Sequence, residues 1–300
     1  MLKKVLTGIV LVVLASYSEF AAAAPRQVVV SIPPQQYFVE QLGGNLVQVV
    51  SLLPAGASPH TFEPKPQQMK SLSQADLYVR IHVEFEDAWW DKFLSAKPDM
   101  YVVDSTAGVE FLAADSAHHH EADAEAEHSE SAEAEHAASG RDPHIWLSPK
   151  RVQMQAETIC AGLIAIDPAN QETYLANKAR FLQELAQLDQ TIQAQLAGLR
   201  SRAFMVFHPS WAYFAADYNL TQLAIEFEGK EPSAAEMIAI IKQAQAAQIR
   251  VIFSQPQSSR RTAEMIASQL DARVATLDPL AGDWRANLLQ ITGLLAETLK

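Results

Sequence analysis

The sequence predicts an α/β protein of two lobes, each a mostly parallel four-stranded sheet flanked by helices, joined by one long linking helix. Three observations predict it. Short β-branched runs alternate with helical patterns from Gln27 to Ser105, as parallel strands with covering helices do. The same alternation resumes at Phe204. Between the two series runs a helical periodicity too long for one domain.

The chain opens on MLKK, a 13-residue apolar run (VLTGIVLVVLASY) and the small residues of EFAAAAP. This is the layout of an export leader over 1–24, cleaved near Ala22–Ala24. The apolar run is well short of the roughly 20 residues that cross hydrocarbon. No cysteine lies near the cleavage region to carry a lipid.

The N-terminal lobe is expected over 25–166. Its strands are QVVVSI (27–32), LVQVVSLL (46–53), LYVRIHV (77–83) and MYVVDS (100–105). Helices follow at Gln35–Leu42, at Gln67–Gln74 and in DAWWDKFL. The pattern then breaks at 113–140, a run of Ala, His, Glu and Ser with almost no large apolar side chain. It has nothing to bury and is expected to be a disordered insertion.

Two helical stretches come next, the first over Pro149–Ala165. In the second, assigned to 167–199, Asp167 is expected as cap and Pro168 as a first-turn residue. Tyr174, Phe181, Leu185, Leu188, Ile192, Leu196 and Leu199 recur there at three- and four-residue steps. That is about 30 residues, or roughly 45 Å at about 1.5 Å per residue. The C-terminal lobe, 200–300, carries FMVFH (204–208), LTQLAIEF (220–227), VIFS (251–254) and VATLD (274–278). Ligands of such folds bind beyond the carboxyl ends of the strands and between domains.

Composition removes whole classes of function. The formal net charge is −12 and no basic cluster follows a helix or strand, which argues against nucleic acid as a partner. The single cysteine, Cys160, excludes an intrachain disulfide and a Cys-based zinc knuckle. It shares a helical face with Val152, Ala156 and Leu163 and reads as core. Neither an HExxH motif nor a serine-centred elbow occurs, so an enzyme is not expected.

Four residues remain with chemistry and no packing role. His60 lies in the long loop after the second strand and His144 in RDPHIWLSP. His208 ends FMVFH, and Asp278 ends VATLD. Taken singly, each could equally be a surface or capping group, and Asp278–Pro279 a turn. Together they offer three imidazoles and one carboxylate in the cleft between the lobes, two from each lobe. That set suits a borderline cation, Zn²⁺ best. Asp142, Glu63 and Glu226 are the carboxylates available to orient a ring nitrogen. His82 and Glu84 alternate onto one strand face and read as edge or surface groups.

The phrases PAGASPHTFEPKP, DPHIWLSP, VFHPSWAYFAADYNL and TLDPLAG occur in that order, with the long helix between the second and third. In this they resemble the metal-specific solute-binding proteins of bacterial ABC importers, in the zinc-uptake branch of the zinc and manganese cluster. The resemblance runs from about Val28 to the end. It implies a periplasmic protein that holds one metal ion between its lobes through His60, His144, His208 and Asp278. It also implies delivery of that metal to a membrane permease powered by a cytoplasmic ATPase, with a periplasmic metallochaperone as a further candidate partner. The chain is expected to be a monomer. Histidine at position 208 goes with zinc, whereas manganese members carry Glu there. A manganese or iron carrier is the alternative within the cluster, and a metal-buffering or adhesin-type surface protein the alternative outside it.

Two departures bear on the site. Some zinc members place Glu directly before the first histidine, where this chain has Pro59. Many relatives have Gly where this chain has His82. Five of the nine histidines, His118, His119, His120, His128 and His136, fall in the acidic insertion. Ordering that segment around one ion costs entropy, so these five are expected to bind zinc weakly and to collect it beside a tight preformed site.

Overall fold

The computed structural model describes residues 24–113, 140–226 and 232–300. Residues 1–23, nearly all of the expected 1–24 leader, and 114–139, nearly all of the His/Glu-rich insertion, lie outside the described residues. Ala113 and Arg141 pair in an antiparallel bridge, so the insertion leaves and rejoins the lobe at one point.

The N-terminal sheet contains β1 (Arg26–Val30), β2 (Val47–Ser51), β3 (Leu77–Arg80) and β4 (Tyr101–Asp104). Their order is β2-β1-β3-β4, parallel throughout, with Val28 opposite both Val49 and Leu77. Val28, Val29 and Val30 are at most 2% exposed, because helices cover both faces, as a parallel sheet requires. Those helices are α1 (Pro33–Gly43), α2 (Pro66–Ser73), α3 (Glu84–Ala96) and α4 (Pro149–Ile166). A Cβ on Gly162 would stand 2.3 Å from Val103 Cγ2, so only glycine lets α4 lie this close to β4.

After α4 comes α5 (Gln171–Gln195), and the second lobe follows it. Its strands are β5 (Ala203–Val206), β6 (Thr221–Ala224), β7 (Val251–Ser254) and β8 (Arg273–Thr276). They lie in the order β6-β5-β7-β8, again all parallel. The two sheets thus share one topology without a shared sequence. The second is flanked by α6 (Ala212–Asp217), α7 (Ala234–Ala246), α8 (Arg260–Leu270) and α9 (Trp284–Leu299). Among the described residues, no helix is long and apolar enough to cross a membrane.

The linking helix is shorter than its periodicity suggests. α5 has 25 residues, about 38 Å at roughly 1.5 Å per residue. At its start Pro168–Asn170 form a separate 3-10 turn. The Asp167 carboxylate caps no backbone group there. It accepts from the Asn170 side chain and the Tyr174 hydroxyl instead. At its end the chain turns through Gly198 at φ +69°, while Leu196 is still 2% exposed. The apolar rhythm therefore outlasts the helix.

α5 packs on α1 and α4 from one lobe and on α9 from the other. The contact is aromatic. Phe38 of α1 meets Trp284 of α9 edge-on at 5.0 Å between ring centroids, and Tyr37 and Phe38 both lie about 6.2 Å from Phe181 of α5. One hydrophobic core consequently runs through both lobes beneath the cleft, and a smaller one lies under α7 and α8.

Candidate metal centre

His60 stands on the loop between β2 and α2. The loop begins where Leu52 and Leu53 still pair with Val30 and Ser31, then turns at Pro54–Ala57. His208 lies two residues beyond the end of β5, positioned by the Phe207 N–H bond to the Phe253 carbonyl. His144 precedes a short 3-10 helix, Ile145–Leu147. Pro143 before it and Pro149 at the head of α4 confine the segment on both sides.

These three histidines come together. Their ligand-capable ring nitrogens lie within 4.8 Å of one another, with His144 and His208 buried and His60 exposed. The Nε2 atoms of His60 and His208 are 3.2 Å apart. Pro59, Trp146, Gln255, Gln257, Pro279 and Leu280 are among the other lining residues. The Gln257 amide is buried there with both polar atoms unpaired.

Each ring hands its other nitrogen to a carboxylate. His60 Nδ1 is 2.9 Å from Glu84 Oε1, His144 Nδ1 is 2.7 Å from Asp142 Oδ1, and His208 Nδ1 is 3.0 Å from Glu226 Oε1. These bonds place the proton on Nδ1, which leaves the Nε2 lone pair of every ring for a cation. Asp142 holds its ring twice over, since its Oδ1 also accepts the His144 backbone N–H at 2.9 Å.

The rings differ in how readily they take a proton. Burial disfavours charge on His60, but the bond to Glu84 and the charges of Glu84 and Glu226 outweigh it and raise its pKa. For His208 burial prevails, with the repulsion of His144 and His60 adding to it, and the pKa falls despite Glu226. Burial would raise the Glu84 pKa, yet the bond and charge of His60, with the charge of His144, hold it at about 2.

Asp278 does not join the three. Its Oδ1 accepts the Leu280 N–H at 3.0 Å and its backbone carbonyl accepts the Asn287 amide, so the segment reaches the cavity through Pro279 and Leu280. Of the carboxylates expected to orient a ring, Asp142 and Glu226 do so and Glu63 does not. The one missed is Glu84, which the strand alternation of 77–83 places on an edge. β3 in fact stops at Arg80, and Glu84 opens α3. Between them His82 adopts a left-handed backbone, φ +61°, a conformation that glycine takes most readily. The His82 ring turns away to Asp104, with Nε2 3.1 Å from Oδ2.

His144 does not divide the histidines evenly between the lobes. The segment around it is bonded to the C-terminal lobe, although it precedes α5 in the chain. Trp146 Nε1 donates to the Pro279 carbonyl, Trp284 Nε1 to the Trp146 carbonyl and the Tyr213 hydroxyl to the Asp142 carbonyl, each at 2.7 Å. Arg151 completes the clamp, with its guanidinium 2.8 Å from Asp217. His144 and His208 thus form one fixed pair, and His60 faces them alone from the other lobe.

Known proteins resemble this chain over most of its length. Residues 28–299 match the family described as zinc-uptake complex component A, periplasmic. A crystal structure of ZnuA superposes with a TM-score of 0.82 at 43% identity, covering 92% of this chain and 100% of that one. A zinc-bound ZnuA deletion mutant gives 0.81 at the same 43% identity, over 92% and 98%. The zinc-binding protein AdcA of Streptococcus pyogenes serotype M3 is 30% identical over 274 residues, 90% of this chain and 53% of its own length. This chain therefore spans about half the length of those streptococcal relatives. With its two like-folded lobes and its three carboxylate-backed histidines, the chain belongs to the family of periplasmic zinc-uptake complex component A.

Proposed function

We propose that this chain captures Zn²⁺ in the periplasm and holds it between its lobes through the Nε2 atoms of His60, His144 and His208. The observation that carries the reading is the convergence of three histidine rings whose Nδ1 atoms are all engaged by carboxylates. Neutral imidazoles select borderline cations over Mg²⁺ and Ca²⁺, and an N-rich tetrahedral site suits Zn²⁺ better than Mn²⁺. Carboxylates on the far nitrogens raise the basicity of the ligating ones and fix the ring orientation.

Asp278 is the proposed fourth ligand. It reaches the ion by giving up the Leu280 N–H, a bond worth about 0.5–1.5 kcal/mol net. Four protein ligands would leave no open position for chemistry on a substrate, so the site serves to hold and release.

In this reading 1–24 is the export leader, 25–166 and 200–300 are the lobes, and 167–199 is the connection containing α5. The ion passes to an ABC permease driven by a cytoplasmic ATPase. The histidines of the insertion serve as weaker collecting sites. Metal analysis of the chain purified without added metal, followed by a competition titration, tests the proposal. One tight zinc equivalent is expected, and a chain loaded with manganese or iron would overturn it.

A further inference from the structure

Two of the three rings are fixed from the C-terminal lobe, and the third depends on a loop. His60 is the exposed member of the group, so what holds it decides whether the site closes. Two contacts tie its loop to the first turn of α3. One is the 2.9 Å bond from His60 Nδ1 to Glu84 Oε1. The other is the Phe62 ring, set edge-on against Phe85 at 5.0 Å between centroids.

The first turn of α3 is itself anchored. Glu86, fully buried, receives the Ile81 N–H at 3.0 Å, the His82 N–H, and the hydroxyls of Ser31 and Tyr78. Through those bonds one carboxylate holds the left-handed turn at His82 and so sets where Glu84 stands. The line of support runs from the β1 and β3 ends through Glu86 and Glu84 to His60, without touching the C-terminal lobe.

We propose that Glu84 and the Phe62–Phe85 pair form a latch that makes His60 the closing ligand of the site and the first one released. In this scheme Glu84 is a positioning residue. It keeps the His60 proton on Nδ1, aims Nε2 at the ion, and lies at the solvent-facing edge, where it can let go while His144 and His208 stay in place. The inference rests on the reading of the three histidines as zinc ligands.

Glu84→Ala should weaken zinc binding by about 10–100-fold, the range for groups that orient a metal-bound histidine. The loss should appear in the release rate, because His144 and His208 still receive the ion. Glu84→Gln, whose carbonyl still accepts from Nδ1, should recover part of the loss. Phe62→Ala should speed release while leaving the His60 tautomer unchanged. Long-range ¹H–¹⁵N spectra of the imidazoles in the full chain, with zinc alone as ligand, distinguish orientation from folding. The protonated Nδ1 signature of His60 should persist in Phe62→Ala and change in Glu84→Ala. Wild-type release and an unchanged His60 signature in Glu84→Ala would overturn the latch while His60→Ala still loses zinc. Wild-type zinc binding by His60→Ala would overturn the ligand reading, and the latch with it.

Discussion

His60 Nε2 and His208 Nε2 stand 3.2 Å apart across the cleft, each with its other nitrogen bonded to a carboxylate. Two ligands at a tetrahedral angle on zinc, with Zn–N distances of about 2.0–2.1 Å, are separated by about 3.3 Å. The two lobes thus present their lone pairs at the spacing zinc requires. Little closure is needed to form the site.

Acid should empty this site, and the direction follows from the rings. A ligating imidazole must be neutral, and its reference pKa is about 6.5. His60 is displaced upward, so it protonates before His208 as pH falls and begins to cost affinity above the ordinary histidine range. His208 is displaced downward, so it keeps its lone pair to lower pH than His60 does. Zinc affinity measured by competition is expected to fall steeply between about pH 7 and 5, with more than one proton taken up per ion lost. An affinity flat down to pH 5 would mean that fewer than three histidines bind.

Asp278 can be tested separately from the histidines. If its carboxylate becomes the fourth ligand, Asp278→Asn should weaken zinc binding clearly, because the amide is neutral and the Leu280 N–H bond can be kept by its carbonyl. The loss should still be smaller than for His208→Ala. Identical competition titrations for Asp278→Asn and wild type would remove Asp278 from the ion.

Loading should change the shape of the molecule only slightly. No Pro or Gly occurs within α5, and kinks usually need one of these or a bulge. The Phe38–Trp284 and Phe38–Phe181 contacts tie both lobes to it. Small-angle scattering of metal-free and zinc-loaded protein should give nearly equal radii of gyration, and a large decrease on loading would contradict a rigid connection. Trp284→Ala should destabilise the fold by about 3–5 kcal/mol and loosen the His144 segment, since it also removes the bond to the Trp146 carbonyl. Thermal unfolding and zinc affinity should drop together.

Deleting Ser116–Ser139 removes five histidines and seven acidic residues and leaves every proposed ligand in place. Loop length changes stability by only about 0.6 kcal/mol per doubling, so unfolding should be almost unaffected. A zinc titration should lose its weak equivalents and keep the tight one. An unchanged total stoichiometry would end the collecting role of the insertion.

The fold was legible because its strands are short, β-branched and separated by helical patterns. All eight expected strands appear, and both sheets are parallel, as the alternation implies. The end of α5 was not legible, because Leu196 and Leu199 continue the apolar rhythm into a turn that only the backbone at Gly198 reveals. His60, His144 and His208 stand out as isolated histidines at strand ends or between prolines. That rule also selects Asp278, whose carboxylate the fold turns onto Leu280. Glu84 escapes it for a physical reason. Its meeting with His60 depends on a left-handed residue at 82 and a buried carboxylate at 86, and neither leaves a periodic trace.

Zinc K-edge absorption spectroscopy of the loaded chain, alongside His208→Ala, reads the ligands of the ion themselves. Three imidazole nitrogens at about 2.0–2.1 Å and one oxygen are expected in a four-coordinate shell, with the histidine scattering reduced and affinity lowered by orders of magnitude in the variant. An oxygen-rich six-coordinate shell, or a spectrum and affinity unchanged by His208→Ala, would contradict it.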